Sequence, residues 1–241
     1  MGLYKYKGAN VTAPADYYVL KTIRDANPTS LFPSKWSDDK DPFTQWDGVS
    51  WDESKQRVWK LILDDFNISS LPNVNQLSEI TTFTAQRNNI SSINIDGLLK
   101  LENFQIDNNQ VSSINLATNV AIKYLYVSNN QLSSLNTSGL NLRTITCNHN
   151  SITSLDLTGS TELAILECGW NGMSTLSIPS GGSLMRLLVS NNNITAIPTL
   201  TSRQSIPIGN ADFWHNSLVD DEVTRLYSIG FTFQEIGALH P

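Results

Sequence analysis

The sequence predicts an α/β repeat solenoid, a single domain that grows by stacking like units. Three observations carry this. A template, L-x-L-x-x-N-x-I, recurs as Phe83-Ala85-Asn88-Ile90, Phe104-Ile106-Asn109-Val111, Leu125-Val127-Asn130-Leu132 and Ile145-Cys147-Asn150-Ile152. It continues as Leu166-Cys168-Asn171-Met173, Leu187-Val189-Asn192-Ile194 and Ala211-Phe213-Asn216-Leu218, with Asn intervals of 21, 21, 20, 21, 21 and 24 residues. Each Asn segment is usually followed by a second short unit, such as Ser91-Ser92-Ile93-Asn94-Ile95 or Thr153-Ser154-Leu155-Asp156-Leu157. A fixed period of this length marks a repeat architecture. Finally, 25 Asn and 28 Ser accompany 28 Leu in a chain that is 40% apolar, and disordered chains lack that much Leu, Ile and aromatic residue.

Composition excludes several functions. With 16 Lys and Arg against 22 Asp and Glu, the net charge is −6 over 241 residues. No basic cluster offers a footprint for nucleic acid or an anionic membrane. No run of 18 apolar residues occurs, so no membrane insertion is expected. Two Cys exclude a disulfide scaffold.

At the repeated positions the chain resembles the leucine-rich repeat family, in its bacterial 21-residue form, over roughly residues 58–218. The resemblance implies a right-handed solenoid with a parallel β-sheet of eight strands on the concave face. Each unit would give one short strand and a turn back along the convex side, burying its apolar face only against its neighbours. In the family the Asn side chain is buried and hydrogen-bonds backbone groups of neighbouring turns, forming an asparagine ladder. Leu61-Leu63-Phe66-Ile68 fits as an earlier unit with Phe at the Asn place.

Residues 1–13, with Tyr4, Lys5, Tyr6 and Lys7, form an arm outside both caps, either loose or docking. Residues 14–57 form an N-terminal cap. Pro14-Ala15-Asp16 opens a helix with Val19, Leu20 and Ile23 on its apolar side, ending before Asn27-Pro28. The segment from Trp36 through Asp41-Pro42-Phe43, Trp46-Asp47-Gly48-Val49-Ser50-Trp51-Asp52 is similar to the cap of plant-type leucine-rich repeat receptor ectodomains. Phe43 and Trp51 stand at that cap's two Cys positions, so aromatic packing is expected to replace its disulfide. Residues 58–218 are the repeats and 219–241 a C-terminal cap. There, Ser217-Leu218-Val219-Asp220 has capping-box spacing and opens a helix through about Ser228, with Val219, Val223 and Leu226 inward. Gly230 stops it, and Phe231-Thr232-Phe233 reads as a last strand, giving a helix-plus-strand cap.

Little in the chain suggests catalysis. Cys147 and Cys168 hold the same inward position in consecutive units, and are expected as two small apolar core residues in preference to a disulfide or metal pair. His149 and His215 are equivalent positions three units apart, roughly 14 Å at the ~4.8 Å strand spacing, too far to share a metal. No Ser–His–Asp order, phosphate loop, zinc motif or calcium loop is present, so neither enzyme activity, cofactor nor metal is expected. Five N-x-S/T sequons, at Asn10, Asn67, Asn89, Asn136 and Asn193, arise mostly from the turn grammar of the repeat.

Binding is the more informative question. Strand side chains alternate, so the residues flanking each inward pair face the concave surface. In the early units these are mostly small and polar. From the third unit on, Tyr124, Tyr126, Ile165, Trp170, Leu188 and Trp214 appear, accompanied by His149, Glu167 and Arg186. Aromatic and Arg anchors in a polar surround are typical of binding patches. Gly169 should leave a hollow beside Trp170. The expected function is therefore non-enzymatic recognition of a protein or surface glycan, as in adhesins or virion attachment proteins. The alternative is a structural subunit of a virion or surface layer, docked to an assembly partner through residues 1–13 and a flank. The start, Met1-Gly2-Leu3-Tyr4-Lys5, lacks an apolar signal region, while the resemblance points to an extracellular, cell-surface or virion setting.

Overall fold

A computed structural model describes residues 3–6, 9–37, 40–181 and 183–237. The chain forms two compact units, Met1–Ala121 and Ile122–Pro241. Both are built from solenoid turns of about 21 residues.

Unit one begins with an antiparallel hairpin, β1 (Leu3–Tyr6) against β2 (Ala9–Thr12), where the sequence suggested only an arm. Helix α1 (Ala15–Asp25) follows Pro14, whose φ of −65° is already suited to helix entry. Tyr17, Val19, Leu20 and Ile23 are buried along α1, and Asn27-Pro28 ends the run. The Asp16 carboxylate accepts the Val58 N–H at 2.8 Å and the Arg57 Nε–H at 3.2 Å, tying α1 to the first repeat strand. A short helix α2 (Phe32–Lys35) brings Phe32 and Trp36 into an aromatic cluster. Trp36 stacks on Trp46 at 5.0 Å, and Phe66, the residue standing at the Asn place of its unit, lies 5.1 Å from Phe32. Phe43 and Trp51 meet at 4.9 Å where the related caps carry a Cys pair.

Strand β3 (Val49–Trp51) pairs antiparallel with β4 (Val58–Ile62). Strands β5 (Thr82–Thr84) and β6 (Asn103–Gln105) then join in parallel, with Leu61, Phe83 and Phe104 in register and fully buried. This in-register stacking joins the turns' side chains into one core.

Unit two continues the same grammar. Strands β7 (Tyr124–Tyr126), β8 (Thr144–Thr146), β10 (Ile165–Glu167), β12 (Arg186–Leu188) and β13 (Ala211–Asp212) form one parallel sheet. The second short segments of two turns, β9 (Ser154–Asp156) and β11 (Thr175–Ser177), pair in parallel as a separate ribbon.

In both units the repeated Asn side chains bond the backbone of neighbouring turns. In unit one, Asn88 accepts the Ile68 N–H at 3.0 Å and donates to the Leu63 carbonyl at 2.8 Å. In unit two, Asn171 accepts the Ile152 N–H at 3.0 Å and donates to the Cys147 carbonyl at 3.0 Å. Asn109, Asn150, Asn192 and Asn216 repeat the arrangement. A side chain with both acceptor and donors serves one N–H and one C=O across a turn, which Asp or Leu could not.

Two expectations are corrected. Cys147 and Cys168 are buried in the core as expected, but they are bonded to each other as a disulfide rather than lying there as two free thiols. Register explains it. Equivalent positions on neighbouring parallel strands put their Cα atoms 4.7 Å apart, within the range a disulfide spans.

The C-terminal cap is two helices, not a helix and a strand. Helix α3 spans Asp220–Ser228 with Val219 at its N-cap and no side-chain cap bond, so the box read at Ser217 does not form. Val219 is exposed, while Leu226 and Glu222 are buried. Gly230, at φ +97°, ends the helix. Thr232 then caps α4 (Phe233–Ile236), with Glu235 accepting from the Thr232 backbone N–H at 2.8 Å and hydroxyl at 2.9 Å. The T-x-x-E box at Thr232 overrides the strand suggested by Phe-Thr-Phe.

Candidate functional site

The outward face of the unit-two sheet carries the candidate residues in two rows fixed by register. One row is Tyr124, Thr144, Ile165 and Arg186; the other is Tyr126, Thr146, Glu167, Leu188 and Asp212. Between the rows, Leu125, Ile145, Leu166 and Leu187 point inward and are fully buried. The outward tyrosines, Ile165 and Leu188 are half-buried, supported by their neighbours yet reachable. Arg186 and Glu167 pair across adjacent strands. Glu162, and after it Tyr124, hold the Arg143 guanidinium more firmly protonated than usual.

Beyond the strands, the residue before each repeated Asn adopts a left-handed backbone conformation. In unit two these are Asn129, His149, Trp170, Asn191 and His215, with φ from +54° to +56°. There the Cβ of any L residue comes close to the following carbonyl oxygen, at a cost of roughly 1–2 kcal/mol, which Asn offsets in part because its short amide bonds locally. His is also common in that conformation, but Trp is not, so Trp170 stands where the backbone favours Asn. Their rings meet edge to face at 5.3 Å, and Trp170 remains 41% exposed.

Beside that pair lies a hollow of about 250 Å³. His149 and Trp170 border it together with Asn129, Asn148, Leu188 and Asp212, and Ser128, Gly169 and Ser190 complete the lining. Gly169 keeps it open. A Cβ there would sit 3.1 Å from the Ser190 carbonyl oxygen and 3.5 Å from Asn148 Oδ1. The Gly169 N–H donates to Asn148 Oδ1 at 2.7 Å, and Asp212 Oδ1 accepts the Trp214 N–H at 3.0 Å. The polar lining is thus partly fixed by the backbone it faces.

The structure brings His149, Trp170 and Leu188 together at this hollow and places Tyr124, Tyr126, Ile165, Glu167 and Arg186 on the adjoining rows. Trp214 is set apart. Its indole N–H donates to the Gln234 carbonyl, and the Gly237 backbone approaches its ring so closely that a Cβ would lie 2.6 Å from it. Trp214 thereby packs under the C-terminal cap, although 37% of it stays exposed. Sequence reasoning passed over Asn148, Ser190 and Asp212 as hollow-lining residues, and over the left-handed column. The signal was there: Asn at 108, 129 and 191 in one column marks a position that needs positive φ. Among the described residues no three His, Cys, Asp or Glu side chains converge as a metal site.

No protein-family model matches the chain, and no curated protein is similar to it in sequence. Solved structures are similar in fold. The functional domain of InlJ from Listeria monocytogenes, described as including a cysteine ladder, is 22% identical with a TM-score of 0.51, over 69% of this chain and 41% of that one. The present chain therefore spans less than half of that domain. The BIR2 ectodomain of Arabidopsis thaliana is 19% identical with a TM-score of 0.51, over 60% of this chain and 85% of that one. The leucine-rich repeat ectodomain of the Arabidopsis receptor kinase SOBIR1 is 19% identical with a TM-score of 0.50, over 68% and 96%. Repeat period, parallel sheet and these similarities agree: the chain has the leucine-rich repeat fold.

Proposed function

We propose that this protein is a non-enzymatic recognition module that binds a protein or surface glycan through the outward, concave face of its unit-two strands. The observation that carries this is Trp170, a large apolar side chain left 41% exposed, in a backbone conformation suited to Asn, at the edge of a hollow. Backbone strain of this kind persists where surrounding structure enforces it, and it clusters at ligand contacts. Exposed aromatic anchors framed by Asn, Ser and a paired Arg have the composition of binding patches. The buried disulfide supports an oxidising, extracellular setting, in keeping with the ectodomains that share the fold. Among the described residues no helix is long and apolar enough to cross a membrane.

The test is capture of ligand from the native surroundings and on a glycan array. Trp170→Ala and Tyr126→Ala should each lose binding at least tenfold; parent-like binding by both would remove this surface from consideration.

A second reading, a subunit of a larger assembly docked through residues 1–13, is favoured by one observation. Strands β1 and β2 form a two-stranded sheet that joins no other described strand. Such a ribbon is marginal in water and gains from an added strand or surface. Deleting residues 1–13 should then abolish assembly while leaving ligand capture intact.

A further inference from the structure

We propose that the hollow beside Trp170 binds one neutral sugar ring. The inference rests on the recognition reading above and narrows its ligand to a glycan. Size is the first argument. About 250 Å³ lies below the roughly 300–1,000 Å³ of pockets that enclose drug-sized ligands and matches one small ring. Gly169 creates that room, since any side chain there would crowd the Ser190 carbonyl.

The second argument is the pairing of a flat apolar wall with mixed hydrogen-bonding groups. The exposed indole of Trp170, braced edge to face by His149, offers a surface on which the C–H face of a pyranose can stack. Asn148 commits its Oδ1 to the Gly169 N–H, which leaves its amide Nδ2 as a donor. Asp212 commits Oδ1 to the Trp214 N–H, which leaves Oδ2 as an acceptor. The Ser190 hydroxyl can do either. Sugar hydroxyls donate and accept at once, so they satisfy an interleaved set of this kind. An anion would face the Asp212 carboxylate, and a lysine ammonium, which only donates, would pair with Asp212 Oδ2 but leave the Asn148 amide donor unmatched, whereas a sugar hydroxyl serves both.

The third argument is conformational. Asn occupies the same left-handed position at 108, 129 and 191. Trp at 170 carries a conformational cost that Asn avoids, and with His149 beside it two exposed rings border one hollow.

The experiment is an NMR titration of the full chain, following the Trp170 indole N–H, assigned by its loss in Trp170→Asn. The probes are methyl glucoside, methyl mannoside, methyl galactoside and N-acetylglucosamine, with glucuronate and an Nα-acetyl-lysine ester as anionic and cationic counterparts. At least one neutral probe should shift the resonance with a Kd of about 1–10 mM, a range typical of so small a contact. Calorimetry should show that affinity reduced at least tenfold in Trp170→Asn and severalfold in Ser190→Ala. Asn already occupies this position elsewhere in the chain, so the first variant should fold. The proposal is overturned if no neutral probe shifts the indole, if affinity survives Trp170→Asn, or if the lysine ester binds instead. In each of those cases ligand capture sensitive to Trp170 and Tyr126 would leave the recognition reading standing, whereas capture insensitive to both would end both.

Discussion

The two units use one backbone for different ends. In each, the residue before the repeated Asn sits at φ between +53° and +60°. Unit one fills this column with Asp65, Arg87 and Asn108, and Arg87 closes a two-pronged ion pair on Asp65 at 2.8 and 2.6 Å. Each partner holds the other in its charged form, so the pair is satisfied within the unit. Unit two fills the same column with Asn129, His149, Trp170, Asn191 and His215, and two of its rings border a hollow. The difference teaches that the repeat dictates where a side chain is displayed, while the side chain chosen decides whether that position is satisfied within the unit or left beside a hollow.

The largest contrast to test is covalent. Unit two holds its turns with a disulfide closing 21 residues of chain, whereas the unit-one cap uses Phe43 against Trp51. Replacing Cys147 and Cys168 by Ala should cost about 3 kcal/mol by loop-closure entropy. In hydrogen exchange the loss of protection should fall on residues 122–241. An equal loss in both units would show them to be one cooperative block.

The caps should respond oppositely to acid. Burial pushes the Glu235 carboxyl up, but the Arg203 ion pair and bonds from Thr232 and Gly209 outweigh it and hold the pKa at about 2. A folded pKa below the unfolded one gives stability that is present above about pH 4.5 and lost as pH falls toward 2, on the order of 2–3 kcal/mol. Asp16, 1% exposed, is shifted the other way, since burial outweighs its bonds to Val58 and Arg57. A raised folded pKa favours the folded state below pH 3.8 and loses that contribution as pH rises through the folded value. Acid titration followed by residue-resolved NMR should therefore release the C-terminal cap first. Release of α1 before α4 would contradict this assignment.

The Asn bonds should not distinguish the units. Asn88→Ala and Asn171→Ala each strand backbone groups inside the turn and should each cost about 1–3 kcal/mol in denaturant unfolding. A cost in only one unit would mean that the two columns are not equivalent.

How much of this the sequence disclosed depends on how local each signal is. Strand, turn and the Asn that bridges turns were legible, because L-x-L-x-x-N ties each residue type to one position in a turn. Tyr124 and Tyr126 were legible from strand alternation, whereas Trp170, beyond its strand, was legible only from its column in the repeat. The disulfide was not, since register brings Cys147 to Cys168, and residue identity leaves open whether the sulfurs bond. Helix α4 was missed because Phe-Thr-Phe has strand alternation, while Thr232 and Glu235 decide the local structure through three atoms. The left-handed column escaped notice because no Gly marks it; Arg, His and Trp conceal what Asn elsewhere in the column reveals.

The smallest effect is the most diagnostic of that column. Trp170→Asn and His149→Asn should each leave stability unchanged or raise it by up to ~1 kcal/mol in thermal unfolding, while unit-two ligand capture is lost. A marked fall in Tm would mean that the rings are there for packing.

The recurring positive φ has a further consequence. With the backbone alike from turn to turn, a ring can be moved one strand along by exchanging side chains alone. Asn191→Trp combined with Trp170→Asn would re-address the surface without redesigning the scaffold, much as type is reset in a fixed frame.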